Sequence, residues 1–258
     1  MKAIKTGLAV ATLALIAACG GGGGDSSPSG TPGTTTTTTG GTTDTITDNT
    51  KTWPAMKAFR DGINNGEQWT MKLRGALTSS RVPVFAETTL FSSKAEAGAN
   101  FNGLNTLGVD ETIDVVVTIE GETASNKQET TIHFNPVSFS VIGNVATGNW
   151  CENTGDHSRT PLPESATAGM TGTVWEMQCW TSQAKVAKLN RSTRTYLTRE
   201  AANGELDVDF ITTTFDSSGK LVGWGRKTMT VTPDGVGRIS KLTSTMLISG
   251  NMLTLSSD

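Results

Sequence analysis

The sequence predicts a mainly β protein, an antiparallel barrel or sandwich with a short N-terminal helix. Three observations carry that reading. Side chains alternate with period two, as in Trp69, Met71 and Leu73 against Thr70, Lys72 and Arg74, and in Ile113, Val115, Val117 and Ile119 against Asp114 and Thr118. Turn signals at Asp216-Ser217-Ser218-Gly219, Pro233-Asp234-Gly235 and Gly250-Asn251 make the last segments successive hairpins. About ten strand candidates follow one another with no regularly interleaved helices, the arrangement of barrels and sandwiches.

The elements follow in chain order. Residues 1–19, MKAIKTGLAVATLALIAAC, carry Lys2 and Lys5, then an apolar run over 8–18 that ends on small residues, the layout of a secretory signal peptide over 1–18. The string Ile16-Ala17-Ala18-Cys19 resembles the lipobox of bacterial lipoproteins of Gram-negative cells. That resemblance implies a lipid anchor on Cys19, palmitate included. With Gly20 rather than Asp after the cysteine, it also implies sorting to the outer membrane, on its periplasmic face or at the cell surface. The expected membrane partner is met through that anchor.

Residues 19–50 then form the lipidated cysteine and a tether. Over 20–50, 9 of 31 residues are Gly and 12 are Thr, with Ile46 the one sizeable apolar side chain. No core forms from such a composition, and a coil of this length reaches about 30 Å.

Residues 51–258 read as a single β-rich domain. Its opening carries Thr52 as a cap, Pro54 in the first turn, apolar Trp53, Met56, Phe59 and Ile63 at helical spacing, and a stop at Asn64-Asn65-Gly66, which predicts one amphipathic helix. Further strands are expected over 82–91, 130–134, 137–145, 174–180, 206–215, 221–231, 237–248 and 252–255. Residues 94–101 read as a short helix through Ala95, Ala97 and Ala99, while 183–199 reads as either a helix or a long strand.

Three cysteines in an exported chain would leave one over, but lipidation uses Cys19, so Cys151 and Cys179 are expected to pair. The bridge is expected to pin the irregular loop between them to the sheet, with Trp150 and Trp180 covering it.

Composition narrows the function. The net charge of -3 gives no field of the kind that draws a protein onto nucleic acid. Only His133 and His157 are present, which limits metal binding and acid–base catalysis. His133 reads as a surface histidine on a strand; Glu152, Asp156 and His157 read as solvated loop residues, so no metal site is expected. Neither a GxSxG elbow nor a free thiol in the domain supports a nucleophile. Ser182-Gln183-Ala184-Lys185 and Ser249-Gly250-Asn251 match the SxxK and SxN of penicillin-binding proteins, in a chain rich enough in serine and lysine for chance to supply both. Asp207 and Asp209 form the one paired-carboxylate signal, and read as the polar face of a strand whose core face is Leu206, Val208 and Phe210. Trp69 and Trp175 read as core.

Lys185, Lys188, Arg191 and Arg194, continued by Arg199, lie in a stretch without acids. On a helix they would form a stripe able to meet an anionic envelope surface, a glycan or an acidic partner, although they read first as a solvated face paired with the acidic segment that follows. The sequence thus implies no cofactor and leaves three functions. The first is a non-enzymatic envelope module that binds a protein or glycan. The second is a barrel carrying a small apolar ligand, and the third a carboxylate-dependent hydrolase.

Overall fold

The computed structural model describes residues 51–78, 81–248 and 251–257. The signal, Cys19, the tether and the Ser249-Gly250 part of the last turn lie outside the described residues. The chain enters through helix α1 (Ala55–Asn65) and then runs through β1 (Glu67–Leu77), β2 (Pro83–Ser92), β3 (Glu96–Phe101), β4 (Leu104–Ile119), β5 (Glu122–Phe134), β6 (Val141–Ala146) and β7 (Asn149–Asn153). The second half comprises β8 (Thr171–Trp180), β9 (Lys188–Glu200), β10 (Leu206–Asp216), β11 (Leu221–Val231), β12 (Gly237–Ile248) and β13 (Asn251–Ser257).

From β4 to β13 each strand pairs antiparallel with the next, and β13 returns to β1. The sheet then closes, because β2 pairs with β1 along one edge and with residues 111–119 of β4 along the other. The result is a closed antiparallel barrel of 12 strands. β4 is long enough to continue past this seam, and its first residues carry β3 as a flap.

The alternation read from the sequence sets the two surfaces. Outward positions on β1 are Gln68, Thr70, Lys72 and Arg74, and those on β5 include Thr123, Ser125, Lys127 and Glu129, all exposed. On these two strands the outward face is polar and charged. No described helix is long and apolar enough to cross a membrane.

At one end the strands are joined by tight turns such as 120–121, 147–148 and 217–220. At the other end the longer connections 135–140, 154–170, 201–205 and 232–236 gather around α1. The helix turns Ala55, Met56, Ala58 and Ile63 inward, and Phe59 meets Phe210 of β10 at 6.1 Å between centroids. It begins two residues later than its sequence suggests. Pro54 occupies the N-cap without a side-chain cap, and Thr52 caps nothing. Trp53 instead bridges backbone to backbone with Ala166 and donates its indole N–H to the Gly204 carbonyl at 3.0 Å. Gly66 ends the helix at φ 72°, where a Cβ would lie 2.5 Å from the Ser92 carbonyl oxygen.

Several sequence expectations change. Residues 94–101 are not helical: β3 occupies 96–101 and turns into β4 through Asn102-Gly103, both at positive φ. Residues 183–199 are a strand after a hairpin loop, not a helix. β5 begins at Glu122, eight residues ahead of the apolar stretch that marks it, because Glu122 to Glu129 are nearly all polar. Residues 137–140 belong to a turn, with Val137 86% exposed.

The disulfide Cys151–Cys179 is present. It links directly opposed residues of the neighbouring strands β7 and β8 on the lumen side, so it does not tie loop to sheet. Trp150 and Trp180 oppose each other one position away, hence on the outer face, and do not cover it. The loop 154–170 is held by its own apolar side chains, Leu162 and Ala166, both within the core.

Candidate ligand-binding site

A barrel of eight strands is just filled by its side chains, whereas 16 to 18 strands leave an aqueous channel. Twelve strands lie between these limits, and the lumen is filled unevenly. Beneath α1, one apolar cluster gathers side chains of the helix, the loops and β4 to β11. A second cluster lines the far half along β1, β2, β4, β12 and β13, through Leu73, Val84, Val115, Val117, Met246, Leu253 and Leu255. Across the lumen from it, the inward positions of the first part of β9 and the last part of β10 are polar: Ser192 opposes Thr214, and Arg194 opposes Thr212.

Between the clusters lies a cavity of about 120 Å³, roofed by Ala58, Phe59, Gly62 and Ile63 of α1. Its walls are largely apolar, with Trp69, Phe134, Trp175 and Phe210 among them. Four ionisable residues reach into it: Glu67, Glu111, Arg194 and Lys227. Their placement follows from strand register. Glu67 opposes Ser92, and Ser92 opposes Glu111, so the two carboxyl groups stand on either side of Ser92 in one row across β1, β2 and β4. Lys227 enters from β11 and pairs with Glu67 at 3.5 Å. Arg194 lies over the Trp175 ring at 4.9 Å and donates from Nε to the Thr212 hydroxyl at 3.0 Å.

Glu111 has no such contact. Among the described residues its carboxyl group makes neither a hydrogen bond nor a contact ion pair. Burial pushes its carboxyl above the usual carboxylate range. The charge of Glu67 acts in the same direction, and Lys227 and Arg194 oppose both without cancelling them. Trp69 contributes a second unmet group, since its buried indole N–H has no acceptor among the described residues. The inward hydroxyl groups of Thr88, Ser192 and Ser244 are likewise without partners among the described residues, an unusual concentration for a barrel interior.

The structure distributes the basic set rather than assembling it. Lys185 lies in the β8–β9 loop, paired with Glu152 at 2.7 Å and placed over Trp180. Lys188 opposes Trp180, and Arg191 faces outward beside Phe215. Arg194 points into the lumen and Arg199 pairs with Asp209 on the outer wall. A strand alternates faces where a helix would have aligned these residues, so no stripe exists.

Asp207 and Asp209 do face outward but are covered: Asp209 is 1% exposed and held by Arg199 and Thr228, while Asp207 is held by Thr230 and Lys241. Both are occupied in the wall and present nothing to a substrate.

His133 is not a surface residue. It opposes Gly143 on the outer face, where the flap β3 lays Phe101 over both, with ring centroids 4.9 Å apart for Phe101–His133 and 4.6 Å for the Phe101–Trp150 stack. A Cβ at Gly143 would meet the Phe101 ring at 2.3 Å, so glycine makes room for it. Burial lowers the His133 pKa. Glu152, rather than joining His157, accepts hydrogen bonds from Asn102, Trp150 and Lys185. Among the described residues no group of His, Cys, Asp and Glu has the arrangement of a metal site.

Neither a protein-family model, nor a curated protein, nor a solved structure matches this chain.

Proposed function

We propose that this protein is a non-enzymatic ligand-binding barrel, carried at the outer membrane on a lipidated Cys19 and a Gly/Thr-rich tether, which holds a small, largely apolar molecule in its lumen. The cavity supports the second half of that reading. Apolar walls with a few convergent polar groups, two of them unpaired, make up the usual chemistry of a small-molecule site. An apolar cavity of about 150 Å³ takes up benzene, and this one, at about 120 Å³, is of the same order. The signal and lipobox pattern support the first half.

Native mass spectrometry of the intact protein, purified without denaturant, tests the carrier. A mass excess lost on unfolding is expected, and a bare mass in preparations from the native cell together with no uptake of added apolar probes would overturn it. Replacing Cys19 by alanine should move the protein from the membrane fraction to the soluble one; unchanged partition would overturn the anchor.

A second reading, a surface that binds another envelope protein, is favoured by one observation. Phe85, Phe91 and Val116 stand exposed on the outer face of β2 and β4. Substituting Phe85 and Phe91 by serine tests it: loss of a co-purifying protein is expected on this reading, whereas the lumen reading expects no change in bound small molecule.

A further inference from the structure

We infer that the ligand of this cavity is a small amine, bound as the ammonium cation with its charge against Glu111 and its apolar body along the aromatic lining; this rests on reading the cavity as a ligand site. Four ionisable groups face the space, and three are already engaged. Glu67 on β1 holds Lys227 from β11, and Arg194 on β9 is spread over Trp175 with its Nε given to Thr212. The residues that α1 turns into the cavity carry no charge. Glu111 alone faces the cavity without a hydrogen bond or contact ion pair among the described residues.

A carboxyl group in an apolar cavity either keeps a proton or acquires a cation. An anionic ligand would add repulsion at Glu111 and would have to draw Lys227 from Glu67. An apolar ligand without charge would leave Glu111 as it stands. A cation satisfies it, and the ring faces of Phe59, Trp69, Phe134 and Phe210 suit an organic cation, being electron-rich and dry. The exchange is balanced: the ammonium enters protonated, any proton held by Glu111 passes to solvent, and the bound state is an ion pair.

Isothermal titration of the full protein near neutral pH with phenethylamine, 2-phenylethanol and phenylacetate tests this, run in two buffers of different ionisation enthalpy. The amine is expected to bind at least about tenfold tighter than the alcohol, with any proton given up by Glu111 counted from the difference between the two buffers, and Glu111→Gln should abolish the preference for the amine over the alcohol. Equal binding of amine and alcohol, tightest binding of phenylacetate, or an amine preference that survives Glu111→Gln would overturn the amine assignment and leave the cavity as a ligand site. Binding of none of the three, with no change in tryptophan fluorescence, would overturn both.

Discussion

Glu67 and Glu111 face the lumen from either side of Ser92 in one cross-strand row, and only Glu67 has a cation in contact. Two acids of the same type, on either side of one strand, thereby meet different surroundings. Lys227 offsets the charge of Glu67, while Glu111 carries the cost of its own burial together with repulsion from Glu67.

The pH dependence of stability follows from Glu111. Its folded pKa is raised above the ordinary 4.5, so between these values the unfolded chain has released a proton that the folded one retains. Stability contributed by the neutral acid is complete below pH 4.5 and is lost as pH rises through the folded value. Glu111→Gln, which keeps the shape without the charge, should remove this loss and leave the variant more stable than the parent above neutrality. Urea midpoints measured across the pH range check it, and parallel profiles for the two proteins would contradict it.

His133 acts at the other side of the scale. Burial beneath Phe101 lowers its pKa from 6.5, so the unfolded chain takes up a proton before the folded one and stability falls as pH drops below about that value. His133→Gln should flatten this limb of the profile. NMR titration of the imidazole gives the direct reading, and an apparent pKa at or above 6.5 would be inconsistent with the buried placement.

How much of this was legible depends on whether one segment could reveal it. Period-two alternation exposes β1 and β4 because one face of each is apolar, and the helix is readable from Met56, Phe59 and Ile63. The first half of β5 shows no apolar face, since it borders the polar part of the lumen, and nothing in its composition marks it as strand. β3 could have been found: Asn102-Gly103 directly after it is a strong hairpin signal that outweighs three spaced alanines. The site itself was hidden for a different reason. Glu67, Glu111, Arg194 and Lys227 lie on four strands and meet only because the barrel closes. Their single-strand patterns make Glu111 look like one more polar position in an alternating run.

The disulfide contributes chiefly by restricting the unfolded chain. For the 28-residue separation of Cys151 and Cys179, the loop-entropy estimate is about 3.5 kcal/mol. The double change to alanine should lower stability by about 2–4 kcal/mol while leaving the far-ultraviolet spectrum of the barrel intact, because β7 and β8 also pair through backbone hydrogen bonds. Thermal or urea unfolding with and without reductant measures it; a shift below about 1 kcal/mol would mean that the unfolded state is already compact.

Leu162 fastens the loop 154–170. It is 1% exposed in an otherwise polar stretch and packs into the cluster that contains Trp53 and Met56. Leu162→Ala should cost about 2–4 kcal/mol, in the range of buried leucine truncations. Because this loop also bridges to Trp53 through Ala166, its loosening should be visible as faster hydrogen exchange in α1 before the rest of the barrel. Uniform acceleration over all strands would show instead that the loop and barrel unfold together.

The last prediction concerns Lys227, whose ammonium spans the lumen from β11 to Glu67 on β1. Lys227→Met keeps the aliphatic stem and removes the charge, leaving Glu67 unpaired close to Glu111. Since both partners retain some contact with the cavity, at 20% and 31% side-chain exposure, the cost should fall below that of a fully buried pair, at about 1–3 kcal/mol. The double variant Lys227→Met with Glu67→Gln should recover most of this, because it removes the stranded charge together with its repulsion of Glu111. A full thermodynamic cycle of the two single variants and the double variant isolates the pair. Additive losses would show that Lys227 serves the barrel through its stem alone and that the ion pair contributes nothing across the lumen.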